Sequence, residues 1–568
     1  VAEAVRLRTE LSPVRLLQTV VSAAARIRWR FAAATQFVLL SVIPILVAAE
    51  EALLLEGRDI AAAAESIRVE DLKRHVVTLA SDTLQGREGG SAGGVAASAY
   101  LIQQLRQRGF STAAHGLDVQ EFPGGMRNVL AIVQGSDVRR RDEVVIVCAH
   151  FDHVGFGTQR NSRGPIGFIH NGADDNASGV AGLLEAVEAI RTLPHPPRRT
   201  LLFAFWDGEE KGLLGSKHWV SSPTRPLKQI KLVINSDMIG RLRPEGVELT
   251  GTRAARGLRQ FVSEANSSEF EPRGSASEPT APLKPRLNLD FTWDMRADSD
   301  HHPFFAVGIP ALMLHTNKHD DYHRPSDDAD KLNYEGTQRL TRLMLFLALR
   351  AAEADELPSF RGESRGETKE QQTRIEQPLP APAARLGITW NSKLSEQRVV
   401  EITEITPQSP AAAAGFRVGD RLLRFGGYNV ADIDDFRSLV VIADREVTAS
   451  VQRPGLVEAV ELSVRLAGEP SRLGLIWRTD DAEPGSVILT QVIPHSPAAL
   501  AGLKPLDRLR TLGDRAADTV NPQRDAGSFT LPLTVTFERN GVLLTSSIPP
   551  IRVAEDTNKR NGPSVGQE

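Results

Sequence analysis

Five short stretches of the chain carry histidines and carboxylates that could bind a divalent cation or move a proton. They are AHFDH (149–153), NGADDNASG (171–179), FWDGEEKGLLGS (205–216), INSDMIG (234–240) and DDYHRPSDD (320–328). The only cysteine, Cys148, cannot form an intrachain disulfide or a paired-thiolate zinc site. A metal site here has to be built from His, Asp and Glu, donors that suit a borderline ion such as Zn2+. Each stretch alone is weak. A lone histidine at a strand end is usually satisfied structurally, and a Glu-Glu pair is usually a solvated helix start. The inference comes from their joint occurrence on elements that end at one edge.

Those elements alternate. VVIVCAH (144–150), TLLFAFWD (200–207) and KLVINSD (231–237) are near-continuous apolar runs ending in a polar residue, the pattern of strands buried on both faces of a parallel sheet. Between the first two, GVAGLLEAVEAIRTL (179–193) has helical apolar periodicity and is closed by Pro194. The spacing predicts an α/β domain over 60–355: a mixed, mostly parallel sheet flanked by helices. Ligands of such sheets sit at the carboxyl ends of the strands, where His150, Asp207 and Asp237 fall. The Ser-, Pro- and Glu-rich stretch 266–290 reads as a surface loop.

Together and in this order, the five blocks resemble the dinuclear zinc aminopeptidases: secreted bacterial leucyl-type aminopeptidases, with relatives among glutamate carboxypeptidases and glutaminyl cyclases. The resemblance runs from about Val69 to Thr341. It implies a zinc exopeptidase fold with two Zn2+ ions as cofactors. His150 and Asp237 correspond to the terminal ligands of one ion, Glu210 and His323 to those of the other, and Asp175 to the carboxylate shared by both. Glu209 corresponds to the general base acting on a water activated by the two metals, and Asp152 to a carboxylate fixing the tautomer of His150. Asp174 is expected to support its loop, and Asn176 is not counted as a ligand. Asp300 and His301 are expected to brace the site, with His302 and His319 at the rim and Tyr322 near substrate. The implied activity is an exopeptidase removing N-terminal residues from peptide substrates. A carboxypeptidase or dipeptidase specificity is an alternative, as is an inactive domain beside peptide-binding modules.

Composition sets the remaining bounds. The chain has 568 residues, 67 Lys+Arg against 71 Asp+Glu and a net charge of −4. That balance argues against a nucleic-acid partner. Six arginines precede residue 31, and the next nineteen positions, Phe31–Ala49, carry no charge. Residues 1–50 therefore read as a signal peptide or an N-terminal membrane anchor, and the protein as exported: periplasmic, secreted or held at the outer face of the inner membrane. Residues 356–384 have a linker composition. Beyond them lies a repeat. LGITW at Leu386 recurs as LGLIW at Leu473, and SPAAAAGFRVGDRLL at Ser409 recurs as SPAALAGLKPLDRLR at Ser496, both 87 residues on. The two copies, 385–468 and 472–553, resemble small β-rich PDZ domains of exported proteases, which implies possible capture of peptide or protein C-termini by strand addition. Equally they could be spacers that pack on the catalytic domain. In the second copy Leu506 stands where the first has Gly419, which puts its turn and its peptide binding in question. The units should be dispensable for hydrolysis of short substrates. Residues 554–568 read as a disordered tail.

Overall fold

The computed structural model describes residues 55–268, 286–380, 384–395, 399–430, 433–521, 525 and 528–550. The expected signal or anchor segment and the tail from 554 lie outside them, as does most of the 266–290 loop. Among the described residues no helix is long and apolar enough to cross a membrane.

Helices α1 (Gly57–Ser66), α2 (Val69–Leu79) and α3 (Ala92–Gln107) lead into strands β1 (Leu117–Phe122), β2 (Met126–Val133) and β3 (Val144–His150). Then follow α4 (Gly179–Arg191), β4 (Thr200–Trp206), α5 (Leu214–Ser221), β5 (Ile230–Ser236), β6 (Val247–Thr250) and α6 (Leu258–Ser267). The domain closes with β7 (Leu289–Thr292), α7 (His301–Ala306), β8 (Ala311–His315) and α8 (Tyr334–Glu353). The strands form one eight-stranded sheet in the order β1-β2-β4-β3-β5-β8-β6-β7. Its centre, β4-β3-β5-β8, is parallel, and the β1-β2, β2-β4 and β6-β8 pairings are antiparallel.

Every residue of β3 and β4 is buried, as their unbroken apolar runs require. Helices α2, α4 and α8 pack together over the sheet. Gly182 permits the close approach of α4, since a Cβ there would come 2.8 Å from the Thr341 hydroxyl on α8. A second core cluster joins Trp206, Trp219 and Phe304, with ring centroids 5.6–6.1 Å apart. Parallel register brings His150 level with Trp206 and Cys148 level with Asn235. The ends of β3, β4 and β5 therefore meet at one edge.

The interval 356–384 is not a free tether. Thr368 and Gln371 form a capping box at the start of α9 (Lys369–Glu376). Glu367 pairs with Arg253 and Arg361, Glu376 pairs with Arg508, and the Leu379 N–H donates to the Thr490 carbonyl at 2.7 Å. A charge-rich composition reads as solvated, but here Glu367 and Glu376 also meet Arg253 and Arg508, distant in sequence.

The repeat is visible in three dimensions. Ser409 caps α10 (Pro410–Ala414) and Ser496 caps α11 (Pro497–Leu500) through the same contact to the third N–H. Arg453 grips Asp420 with two nitrogens, and Arg539 grips Asp507 in the same manner. Leu506 keeps the left-handed backbone of Gly419, at φ 72° against 90°. The turn therefore survives without its glycine, at a strain of about 1–2 kcal/mol.

The second copy closes on a hairpin of β9 (Leu533–Arg539) and β10 (Val542–Ile548). Between them Asn540 and Gly541 both have positive φ, the geometry of a two-residue hairpin turn. This hairpin docks on the catalytic domain. Arg259 of α6 makes a two-nitrogen pair with Glu538 at 2.8 and 3.2 Å, and Arg253 pairs with Asp480 at 2.5 Å. The Leu289 N–H at the start of β7 donates to the Asn540 carbonyl at 2.9 Å.

Candidate active site

At the carboxyl edge of the sheet, seven side chains form two adjoining groups: His150, Glu209 and Asp237, and His153, Asp175, Glu210 and His323. Within each group the potential ligand atoms lie within 4.8 Å of one another. Each side chain is placed by its element. His150 ends β3 and Asp237 follows β5, and His150 Nε2 stands 3.4 Å from Asp237 Oδ1. Asp175 comes from the tight turn before α4. It spans the two groups, with Oδ1 3.5 Å from His150 Nε2 and Oδ2 3.1 Å from His323 Nε2. Glu209 and Glu210 follow β4, and Glu210 Oε2 is 3.2 Å from His323 Nε2.

The imidazoles are oriented from behind. His150 Nδ1 lies 3.2 Å from the Asp152 carbonyl and His323 Nδ1 lies 2.6 Å from the Asn161 carbonyl. A proton on each Nδ1 leaves Nε2 as the free lone pair facing the cluster. The Asp152 carboxylate does something other than expected. Its nearer oxygen is 3.8 Å from His150 Nδ1, while the two oxygens accept the backbone N–H groups of Glu209 at 2.9 Å and Glu210 at 3.3 Å. Two-residue spacing on a strand would align the side chains of His150 and Asp152, but β3 stops at His150 and the next residues turn beneath the β4 loop. Asp152 is a positioning residue for the Glu-Glu pair, and it does not line the site.

The same bracing extends outward. Asn176 holds the turn to β5, donating to the Ser236 carbonyl and accepting from the Gly179 and Met238 N–H groups. Asp174 accepts from the Gly240 N–H at 2.6 Å and faces His319 at 3.1 Å. His319 is therefore buried beneath the site, not at its rim. Asp300 is buried and accepts from the Ser216 hydroxyl, and Asp207 accepts the Arg127 N–H. His302 is half-buried beside Phe305, and Tyr322 stacks on His323 at 3.9 Å.

Protonation follows this packing. Burial holds Glu209 well above the usual carboxylate range; His150 opposes the shift, and the neighbouring charges of Glu210, Asp300 and Asp237 add to it. Asp237, which burial alone would raise, is pulled down to about 2 by His150. Burial would lower His323, yet its hydrogen bonds to Asp175 and Glu210 lift it to about 10. Four carboxylates against three imidazoles in a buried cluster create a demand for positive charge. Divalent cations would meet it, and the donor set is of the type zinc accepts.

Three contributors received no role from the sequence: Arg87, which lies outside the five stretches, and Asp327 and His153, which lie within them. Arg87, fully buried, donates to the carbonyls of Leu79, Phe151, Asn171 and Gly172, tying together the segments that carry His150 and Asp175. Burial lowers its pKa only to about 10, so it stays charged. Asp327 accepts the Asp174 and Asp175 N–H groups at 2.9 and 3.1 Å. His153 stands within the quoted AHFDH block, 2.9 Å from Glu210 Oε1. Its proximity to two ligand-bearing blocks was the available signal.

A sheet edge bearing adjoining His–carboxylate clusters and a half-buried glutamate is a site suited to metal-dependent peptide hydrolysis. Residues 128–348 match the model of peptidase family M28, and residues 401–453 match that of the PDZ domain. Aminopeptidase YwaD of Bacillus subtilis is 26% identical over 239 residues, covering 41% of this chain and 46% of that protein. A probable leucine aminopeptidase of Arthroderma otae is 29% identical over 201 residues, covering 34% and 51%. Carboxypeptidase Q of Xenopus laevis is 27% identical over 187 residues, covering 33% of each. The chain spans about half the length of the first two of these relatives. The solved structure of the LapA aminopeptidase of Legionella pneumophila has a TM-score of 0.41 and 18% identity, over 54% of this chain and 78% of that one.

Proposed function

We propose that the protein is an exported, zinc-dependent aminopeptidase that removes N-terminal residues from peptides, with Glu209 as general base. One observation carries this reading: Asp175 turns one oxygen toward each of two adjoining donor groups, an arrangement suited to two cations. His150, Asp175 and Asp237 would hold one ion, and Asp175, Glu210 and His323 the other. When bound, the zinc pair supplies Lewis-acid polarisation of the scissile carbonyl and lowers the pKa of the attacking water.

The chain's own residues do the rest. A Glu209 carboxylate oxygen lies within 4.8 Å of the donor atoms of His150 and Asp237, and burial raises its proton affinity. It takes the proton from water as the oxygen adds to the carbonyl carbon, then delivers it to the departing amine as the C–N bond breaks. Such a base contributes typically 10²–10⁴-fold in rate. The Asp152 carboxylate holds the backbone on which Glu209 and Glu210 diverge. The pocket between these groups has a volume of about 30 Å3, room for about one water, which favours a substrate presenting its end.

Lys318, which lines the pocket, and Arg163 both stand over the Tyr322 ring, at 4.4 and 4.9 Å. These cations favour a second reading, recognition of a C-terminal or acidic carboxylate. Export through residues 1–50, with release or anchoring, and capture of C-termini by the first PDZ unit complete the proposal.

The test is hydrolysis of aminoacyl anilides and of peptides with free and blocked N-termini. The zinc-loaded chain should cleave only free-amine substrates. Glu209→Gln should keep about two zinc ions while kcat falls about 10²–10⁴-fold. Cleavage that ignores the amine but needs a free carboxylate would favour the second reading, and no turnover by the zinc-loaded chain on any substrate would refute both.

A further inference from the structure

We infer that His153 is a protein ligand of the second cation, so the two ions are unequal: one has four protein donors, the other three. The inference rests on the zinc reading just given and goes beyond it, since the resemblance supplies only Asp175, Glu210 and His323 for that ion.

Zinc bonds of about 2.0–2.2 Å set tetrahedrally place neighbouring ligand atoms roughly 3.3–3.6 Å apart. His153 Nδ1 lies 2.9 Å from Glu210 Oε1 and 3.8 Å from Asp175 Oδ2. His323 Nε2 lies 3.1 Å from that same Asp175 oxygen and 3.2 Å from Glu210 Oε2. These four separations bracket the expected edge. The His153 and His323 rings meet at 86°, directing two nitrogens at one space from different sides.

The surroundings are built to admit this ring. His153 is fully buried, yet its far nitrogen, Nε2, has no hydrogen-bond partner, so only the cluster engages the ring's polar atoms. Gly172, at φ +57°, leaves room for both the Asp175 carbonyl and the ring; a Cβ there would come 2.2 Å from that oxygen and 2.5–2.6 Å from the imidazole Cδ2 and Cγ. A simple hydrogen bond from His153 to Glu210 would not need Nδ1 to face the Asp175 oxygen that His323 also faces.

Unequal donor sets divide the labour. Zinc sites closed by four protein ligands hold metal structurally, whereas sites with three keep a position open for water. The His153 ion is therefore the first to bind and the last to leave. The exchangeable position belongs to His150, Asp175 and Asp237, beside Glu209.

The test uses the full chain stripped of zinc and reloaded with one equivalent. X-ray absorption should count two imidazoles per zinc in the wild type and one in His153→Gln. Graded chelator dialysis with elemental analysis should release the wild-type ions in two steps separated by at least about tenfold in chelator. His153→Gln should narrow or abolish that gap, and circular dichroism of the zinc-free proteins checks folding. One imidazole at one equivalent in the wild type overturns the inference without any variant, as does an unchanged two-step release in His153→Gln. A wild-type chain that takes up no zinc refutes the zinc reading itself.

Discussion

The Arg259–Glu538 pair makes the second PDZ-like copy part of the catalytic domain's stability, and Glu538→Ala tests this. The Arg259 side chain is 10% exposed and that of Glu538 1%, and the two join segments 279 residues apart. Removing Glu538 leaves Arg259 with only the 3.9 Å contact to Glu483, and the loss of one partner from a buried pair costs about 3–5 kcal/mol. Glu538 also accepts the Gly541 N–H at 2.6 Å, whose loss adds about 1 kcal/mol. At roughly 2–4 °C per kcal/mol for a cooperative unit of 150–250 residues, Tm should fall by about 8 °C or more. Replacing both partners with apolar groups, as Arg259→Met with Glu538→Leu, removes the stranded charge and should restore most of that loss. Differential scanning calorimetry of the three proteins reads the outcome. A Glu538→Ala melt within about 1 °C of wild type, or a double variant as unstable as the single, would refute the reasoning. The same logic bears on truncation. A chain ending near residue 360 leaves Arg253 and Arg259 without Asp480, Glu367 and Glu538. It should therefore melt lower even where the folded fraction still turns over short substrates.

Other consequences are open to direct measurement. Glu538, which burial alone would raise, is held below the ordinary glutamate value by Arg259. A depressed folded pKa gives stability that is present above the unfolded value of about 4.3 and lost as pH falls through the folded one. Tm should thus drop below about pH 4, and Arg259→Met should lose that increment of the slope. Gly172→Ala places a methyl against the Asp175 carbonyl and the His153 ring and adds about 1–2 kcal/mol of positive-φ strain to that clash; elemental analysis after dialysis should find less retained zinc than in wild type. Leu506→Gly relieves the left-handed backbone at φ 72° and should raise the melting temperature of the second copy, by about 1 kcal/mol of stability.

Local pattern made the centre of the molecule legible. Strands β3, β4 and β5 are apolar on both faces, so their ends, and with them His150, Asp207 and Asp237, could be placed at one edge before any coordinates. The 87-residue repeat was equally plain, because capping serines and gripped aspartates recur in fixed order. What stayed hidden depends on contacts between distant segments. Nothing near Arg87 announces that its guanidinium will collect four carbonyls from three segments. The resemblance assigned the Asp152 carboxylate to His150, whereas the chain turns after β3 and the carboxylate meets the Glu209 and Glu210 amides. The interval 356–384 looked solvated because its charges find partners more than 100 residues away, as in Arg253–Glu367 and Arg508–Glu376.

The Leu289–Asn540 hydrogen bond has a consequence for solubility. Strand β7 is the last in the eight-stranded sheet, and such a rim exposes unpaired amide groups to any other chain able to add a strand. The Asn540–Gly541 turn covers the entry to that rim, with Gly541 lying against Leu289. The second copy thus covers one end of that rim, and a chain shortened before it is expected to aggregate more readily by strand pairing there.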